Sequence, residues 1–331
     1  MRVLIGLLLI SCFGIWKPVS AQLRASDRSE LLSKANDLKI FADSMINAAA
    51  PSTRFRADSN FVRGLVRALQ TPHSFQFPFD SLSTISHLYA PDSSFRIFTW
   101  QLKKDEYVFL QKGAIQMNTA DGSLKLFPLF DASMFTGKPT DSARTRNNWI
   151  GAIYYKIIQK EHNNKKYYTL LGFDDFSVAS NKKWLEVLHF NQQGEPVFGG
   201  PMISFKEDTA KRAVQSRFNI EYKKEANTVF NYNADLDMIV FDHLISETDE
   251  PEKKQTYIPD GDYEGFKWQN GQWVHVNKVF EFALQDGEFP VDETIRDNQG
   301  NIDEKKLEEA SQRTMEKAKQ KQPVKKAKPQ K

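Results

Sequence analysis

The chain has 331 residues, of which 40% are apolar, 26% charged and 12% aromatic, with 25 phenylalanines and only 16 glycines. That composition excludes a low-complexity or fibrous chain and allows one large or two modest domains with a proper hydrophobic core. The net charge of +3 is unevenly spread: residues 313–331 hold eight basic residues and one acid, so the body is mildly acidic and a basic surface for nucleic acid is not expected on it.

The first residues read as a secretory leader. Arg2 precedes an apolar run over 3–16, too short for a comfortable membrane span, and Val19-Ser20-Ala21 comes after it as a small-x-small cleavage pattern. The expectation is an exported protein, in the periplasm or outer envelope, with 1–21 removed and Gln22 as the mature start. Leu9-Ile10-Ser11-Cys12 leaves a second route open, acylation of Cys12 as in bacterial lipoproteins. Cys12 is the single cysteine, so once the leader is removed the chain is disulfide-free and lacks a thiol nucleophile or thiolate metal ligand.

Asp27 with Glu30 three positions later reads as a capping box. Leu31, Leu32, Ala35, Leu38, Phe41, Ala42, Met45 and Ile46 then recur at three and four, predicting a helix that ends near Ala50-Pro51. A shorter second helix takes Asp58 or Ser59 as N-cap and Phe61, Val62, Leu65, Val66 and Leu69 as its buried stripe, stopping before Thr71-Pro72. Residues 22–90 are therefore expected as a helical segment packed on a β domain.

From Phe95 the pattern becomes short apolar runs between polar turns. Strands are expected over 95–102, 107–117, 124–127, 149–158, 167–173, 184–190, 202–205, 214–222, 228–232, 238–245, 263–268 and 273–280. Turns such as Asn118 to Gly122, His162 to Lys165 and Gln269-Asn270-Gly271 are too short for parallel crossovers, so 91–290 reads as an antiparallel β-meander. The runs over 149–155 and 238–241 are apolar on both faces, which suits central strands between layers. The fold class is α+β, mainly β, and spacing leaves sandwich, barrel and propeller-like arrangements open. One echo bears on that choice: Pro91-Asp92 leading to Trp100 parallels Pro259-Asp260 leading to Trp268, and predicts two equivalent turns that each enter a hairpin. Residues 291–331 form a charged, basic tail, largely disordered in expectation and suited to screened electrostatic contact with anionic surfaces.

No G-x-S-x-G elbow, H-E-x-x-H pair, phosphate loop or dinucleotide fingerprint is present. The dispersed catalytic candidates are Asp242, His243, His189 and His275. Strand alternation puts Asp242 and His243 on opposite faces, so they cannot share a substrate; Asp242 reads rather as a structural acceptor that ties down a neighbouring loop. A pair of histidines across strands would hint at a metal. For calcium, the oxygen-ligand candidates are Asp260, Asp262 and Glu264, together with Asp174 and Asp175, although turn formation accounts for these acids without an ion. No other cofactor is expected.

The segments 95–100, 167–175, 185–200, 238–244 and 257–268 together resemble a group of uncharacterised exported β-rich proteins of Bacteroidota. That resemblance implies export in a Gram-negative envelope and carries over no functional residue. Two functional readings are open. The first is a non-enzymatic envelope protein, binding or accessory in role, with a protein or glycan partner. The alternative is a hydrolase or metal-assisted enzyme whose site is assembled from separated strands.

Overall fold

The computed structural model describes residues 22–280 apart from 106, 210 and 211. Residues 1–21, where a leader with Cys12 is expected, and residues 281–331, with the basic tail, lie outside the described residues. Two helices, α1 (Ala25–Asn47) and α2 (Pro51–Leu69), precede fifteen strands arranged in three sheets among the described residues. The first sheet is a four-stranded antiparallel meander of β1 (Ser86–Tyr89), β2 (Phe95–Lys103), β3 (Phe109–Met117) and β4 (Lys125–Phe130), in that order.

The second sheet contains β5 (Arg144–Thr145), β6 (Ile153–His162), β7 (Lys165–Asp174), β8 (Ser180–Phe190) and β9 (Pro196–Phe198) in the order β5-β9-β8-β7-β6. After β10 (Ile203–Ser204), the strand β11 (Arg217–Lys223) joins that sheet by pairing with β8. The third sheet has β12 (Phe230–Asn233), β13 (Met238–Ser246), β14 (Tyr257–Gln269) and β15 (Gln272–Val276), with β10 added in parallel to β15. No barrel closes among the described residues. The antiparallel reading of the sequence is realised, with β10·β15 as a parallel exception, and of the arrangements it left open the sheets are sandwich-like.

Strand alternation explains why the layers stack. On β2, Phe98, Trp100 and Leu102 point to the helices, whereas Phe95 and Ile97 point to the second sheet. On β7, Leu170 faces the first sheet and Leu171 the third. Three apolar cores therefore lie between four successive layers: helices, first sheet, second sheet and third sheet. Two of the hairpins use the expected turn residues. Asn163 and Asn164 both take positive φ between β6 and β7, as do Asn270 and Gly271 between β14 and β15, the backbone that a two-residue hairpin with right-handed twist demands.

Several local expectations are corrected. Asp27 lies inside α1, whose N-cap is Arg24; Arg24 bonds Asp27 at 2.9 Å and Glu30 pairs with Lys34, so no capping box forms. The second helix begins at Pro51, seven residues before Asp58. Proline's fixed φ suits the first helical turn, and the Asp58 carboxylate accepts a hydrogen bond from Trp100 Nε1 at 2.9 Å instead of capping. Ser86–Tyr89, expected in the helical segment, is a strand. The run over 149–155 does not form a central strand: Trp149, Ile150 and Ala152 lie in the crossing that leads to β6, and β6 is an edge strand.

The Pro-Asp echo is also dissolved. Pro91-Asp92 does form a turn before β2, but Pro259 and Asp260 lie within β14, where Asp260, Gly261 and Asp262 bulge opposite His243. Trp100 belongs to the first core, and Trp268 is a half-buried neighbour of the third. No helix among the described residues is long and apolar enough to cross a membrane.

Candidate functional site

The helix-facing side of the first sheet is wider than the helix pair that covers it. α1 and α2 pack on β2. The same face of β3 and β4 continues past α2 as an open groove of about 470 Å³. Val62, Leu65, Val66 and Leu69 of α2 form one wall, and Leu110, Ala114, Leu126 and Pro128 line the floor. The far wall is Phe130 with Met134 and Phe135 of the turn after β4, which are 55%, 61% and 89% exposed. Large apolar side chains at that exposure, contiguous with an apolar floor, form an exposed apolar patch.

The exposed rim is held in place. Asp131 Oδ1 accepts from Ser133 N at 2.9 Å and Gly151 N at 3.0 Å, which fixes the turn carrying Met134 and Phe135. A side chain at position 151 would put its Cβ 2.1 Å from Gln111 Cβ, so only glycine lets the crossing pass this close to β3. Beneath the groove, Gln111 Nε2 donates to Asp174 at 2.8 Å, leaving Gln111 Oε1 without a partner. Among the described residues, the only polar side chains lining the groove are Gln111, Lys112 and Asp131; Lys112 stands 3.7 Å from Asp58.

Although β4 is an edge strand, its free edge is closed to strand addition at one end. Pro128 has no N–H to offer, Phe130 N donates to Arg146 O at 2.7 Å, and Phe130 O accepts from Trp149 N at 3.0 Å.

The residues singled out in the sequence occupy other places. Asp242 is buried on the opposite face of β13 from His243, as alternation requires. It accepts from Val229 N at 2.5 Å and so ties down the segment before β12; burial raises its pKa, against the opposing hydrogen bond from Val229. His189 stands apart on β8 beside Tyr167, with its Nδ1 buried and unpartnered, and burial lowers its pKa. Asp174 is buried against Gln111. Asp175 pairs with Lys224 and accepts from Gln101 at 3.3 Å.

The remaining candidates converge at one end of the third core. His243 Nδ1 meets Asp260 at 2.7 Å, His275 Nδ1 meets Asp208 at 2.8 Å, and Glu264 lies between the two Nε2 atoms. Asp262 turns away, 3.7 Å from Lys278. The acids Asp260, Asp262 and Glu264 thus sit along a bulged strand, Asp260 and Glu264 against histidines and Asp262 against a lysine, not around one calcium-sized centre.

No family model, curated protein or solved structure matches this chain. The resemblance to exported Bacteroidota proteins gains no support from relatives, and function has to be argued from geometry. Sequence reasoning missed the groove entirely. The available signal was the apolar crowding of Phe127, Leu129, Phe130, Met134 and Phe135 around a turn, where solvent-facing residues were due. Asp208 was missed as well, because nothing in its local sequence distinguishes it from an ordinary loop acid.

Proposed function

We propose that the protein is an exported, non-enzymatic accessory protein of the cell envelope, and that the strip of β3 and β4 left bare beside α2 receives an amphipathic helix of a protein partner. The observation that carries this reading is the mismatch of widths in the first sheet. Two uncovered strands span roughly 9–10 Å, and one α-helix with its side chains is about 10 Å across. A third helix lying beside α2 would complete the layer that α1 and α2 begin.

The chemistry of the groove supports a helix over other occupants. A helix satisfies its own backbone, so it needs no donors from the walls, and these walls carry three polar side chains. An extended peptide would want a free strand edge, which Pro128 and the 146–149 crossing obstruct. A glycan would leave many hydroxyls without partners. The enzymatic alternative finds no nucleophile and base side by side among the groove-lining residues. Export rests on the leader and the cleavage pattern.

A photo-reactive amino acid at position 135, in the full chain expressed in its own host, tests the proposal. The expected result is a discrete adduct whose cross-linked peptide maps to an amphipathic segment of another envelope protein, with no such adduct from the same probe at exposed Val178 in the turn between β7 and β8. An adduct confined to residues 281–331 of the chain itself, or to lipid alone, would contradict it.

A further inference from the structure

A second groove, separate from the bare strip of the first sheet, runs between α1 and α2. It holds about 390 Å³, and all of its lining comes from the two helices. Position 64 shapes it. A Cβ there would stand 2.9 Å from Leu38 Cδ2, and Leu38 is buried, so α2 sits this close to α1 because glycine carries no side chain. The floor is therefore helix backbone at Gly64, flanked by Leu38 and the half-buried ring of Phe41.

The two walls differ in charge. Arg63 and Arg67 stand one turn apart on α2, and like charges at that spacing oppose the helix. No carboxylate among the described residues offsets them. Arg63 Nη2 donates to Asn60 Oδ1 at 2.7 Å, a neutral partner that orients the guanidinium, whereas the Arg67 guanidinium has no hydrogen bond or ion pair among the described residues. The single acid of α2, Asp58, is buried and turned to Trp100.

Across the groove Asp37 lines the α1 wall, and neither arginine reaches it for an ion pair. Lys34 stands at the end near Thr71. Its three N–H groups are taken up by Glu30 at 2.6 Å, Arg67 O at 3.3 Å and Thr71 Oγ1 at 3.3 Å, so it ties α1 to the end of α2 and has no donor left for a ligand. With Lys34 offset by Glu30, two arginines against one aspartate leave the walls one positive charge in excess.

Opposed charges that face each other without meeting need an occupant that supplies both kinds of partner. Guanidinium forks take a carboxylate, sulfate or phosphate. Asp37 takes hydroxyl donors, Asn60 Nδ2 takes a hydroxyl oxygen, and the Phe41 ring takes an apolar face. A free inorganic anion would feel repulsion from Asp37 and leave Phe41 bare. A hydrocarbon chain would cover the polar walls without a hydrogen bond.

We propose that the groove between α1 and α2 binds an anionic saccharide of one or two sugar units, with Arg63 and Arg67 on the acidic group, Asp37 and Asn60 on hydroxyls, and Phe41 against the C–H face of a ring. The volume lies within the ordinary range of small-molecule sites, about 300–1,000 Å³. The assignment stands whether or not the strip of β3 and β4 receives a helix.

Calorimetric titration of the full chain with three disaccharides that differ in their acid, a uronate, a sulfate ester and a phosphate ester, tests it, with an uncharged disaccharide and inorganic phosphate as references. At least one charged sugar should bind saturably at one equivalent, about tenfold or more tighter than both references. Arg63→Gln and Arg67→Gln should each weaken that sugar by about tenfold or more, whereas Arg56→Gln, exposed on the same helix outside the groove, should leave it unchanged. Asp37→Ala separates a sugar site from a site for any anion: it should weaken the charged sugar and leave inorganic phosphate no weaker. These four side chains are exposed, so the variants should keep the parent's melting temperature. Absence of saturable binding by all three charged sugars, equal affinity for inorganic phosphate, tighter sugar binding in Asp37→Ala, or binding that survives Arg63→Gln combined with Arg67→Gln would overturn the assignment.

Discussion

Replacing Arg217 by methionine is expected to cost about 3–5 kcal/mol of folding stability, the ordinary penalty for removing one partner of a buried ion pair. Arg217 and Glu186 face each other across the β8–β11 ladder with the guanidinium Nε 3.1 Å from the carboxylate, and neither reaches solvent. The rest of the guanidinium is used to hold backbone: Nη1 donates to Pro139 O and to Ser142 O, the latter at 3.1 Å, and Nη2 donates to Phe198 O at 3.2 Å. Glu186 also receives the Tyr154 hydroxyl, which in turn accepts from Trp149 Nε1 at 2.7 Å. Burial, reinforced by Glu186, drives the Tyr154 pKa well up, so the phenol stays a donor.

Methionine leaves the Glu186 charge buried with a phenol as its remaining strong partner and frees the strap over 139–142. Against a total stability of order 5–15 kcal/mol, the loss should be visible as a large drop in urea midpoint. The double variant Arg217→Met with Glu186→Leu should recover much of it, because two well-packed apolar side chains leave no unpaired charge. A loss below about 1 kcal/mol for the single variant would mean that water reaches Glu186 and that the pair is not a structural element.

The second large effect expected is a gain. Burial raises the pKa of Asp174 to about 6, with nearby Asp131 adding to the rise, against the opposing hydrogen bond from Gln111 and the charge of Lys182. An acid whose folded pKa lies above its unfolded value takes up its proton on folding. Stability is then highest below the unfolded pKa and is lost as pH rises through about 6. From an unfolded value near 3.8, the full swing is about 3 kcal/mol.

Asp174→Asn removes the charge and keeps the shape. Its Oδ1 can still accept from Gln111 Nε2, and its amide can donate to Gln111 Oε1, which has no partner at present. The variant should therefore be more stable than the parent by roughly 2–3 kcal/mol at pH 7.5, with the difference shrinking towards zero near pH 4. Equal stability at pH 7.5, measured by urea unfolding of both chains, would show that Asp174 ionises without penalty.

The parts of this fold that were readable are those with long periodicity. The α1 stripe from Leu31 to Met45 and the strands β2, β3, β7, β8, β11 and β13 lie where the apolar pattern places them, as does the second half of β14, because burial of one face leaves its period in the residues. The two- to four-residue strands β1, β5 and β9 have no room to show a period, and their pairing is imposed by neighbours. Asp58 looked like a helix cap because capping is a local rule; its real partner, Trp100, is distant in sequence.

The candidate residues fared in a similar way. His243 and His275 were singled out as catalytic candidates and Glu264 as a calcium ligand, and their convergence depends on a bulge between β13 and β14 that alternation within one strand cannot reveal. The groove is harder still. Whether Phe130 and Phe135 are covered depends on how many strands two helices can span, a property of the assembled layer and of no single segment.

The central claim, that the bare face of β3 and β4 binds a helix, is tested most directly by isothermal titration of the full chain with a synthetic peptide of the segment cross-linked at position 135. Burial of the apolar groove predicts a negative heat-capacity change, and loss of an aromatic anchor predicts at least tenfold weaker binding for Phe135→Asp and for Phe130→Asp, about 1.4 kcal/mol or more each. Both side chains are already exposed, so neither substitution should disturb the fold. Affinity unchanged in both variants, or binding with no heat-capacity change, would contradict the groove as the docking site.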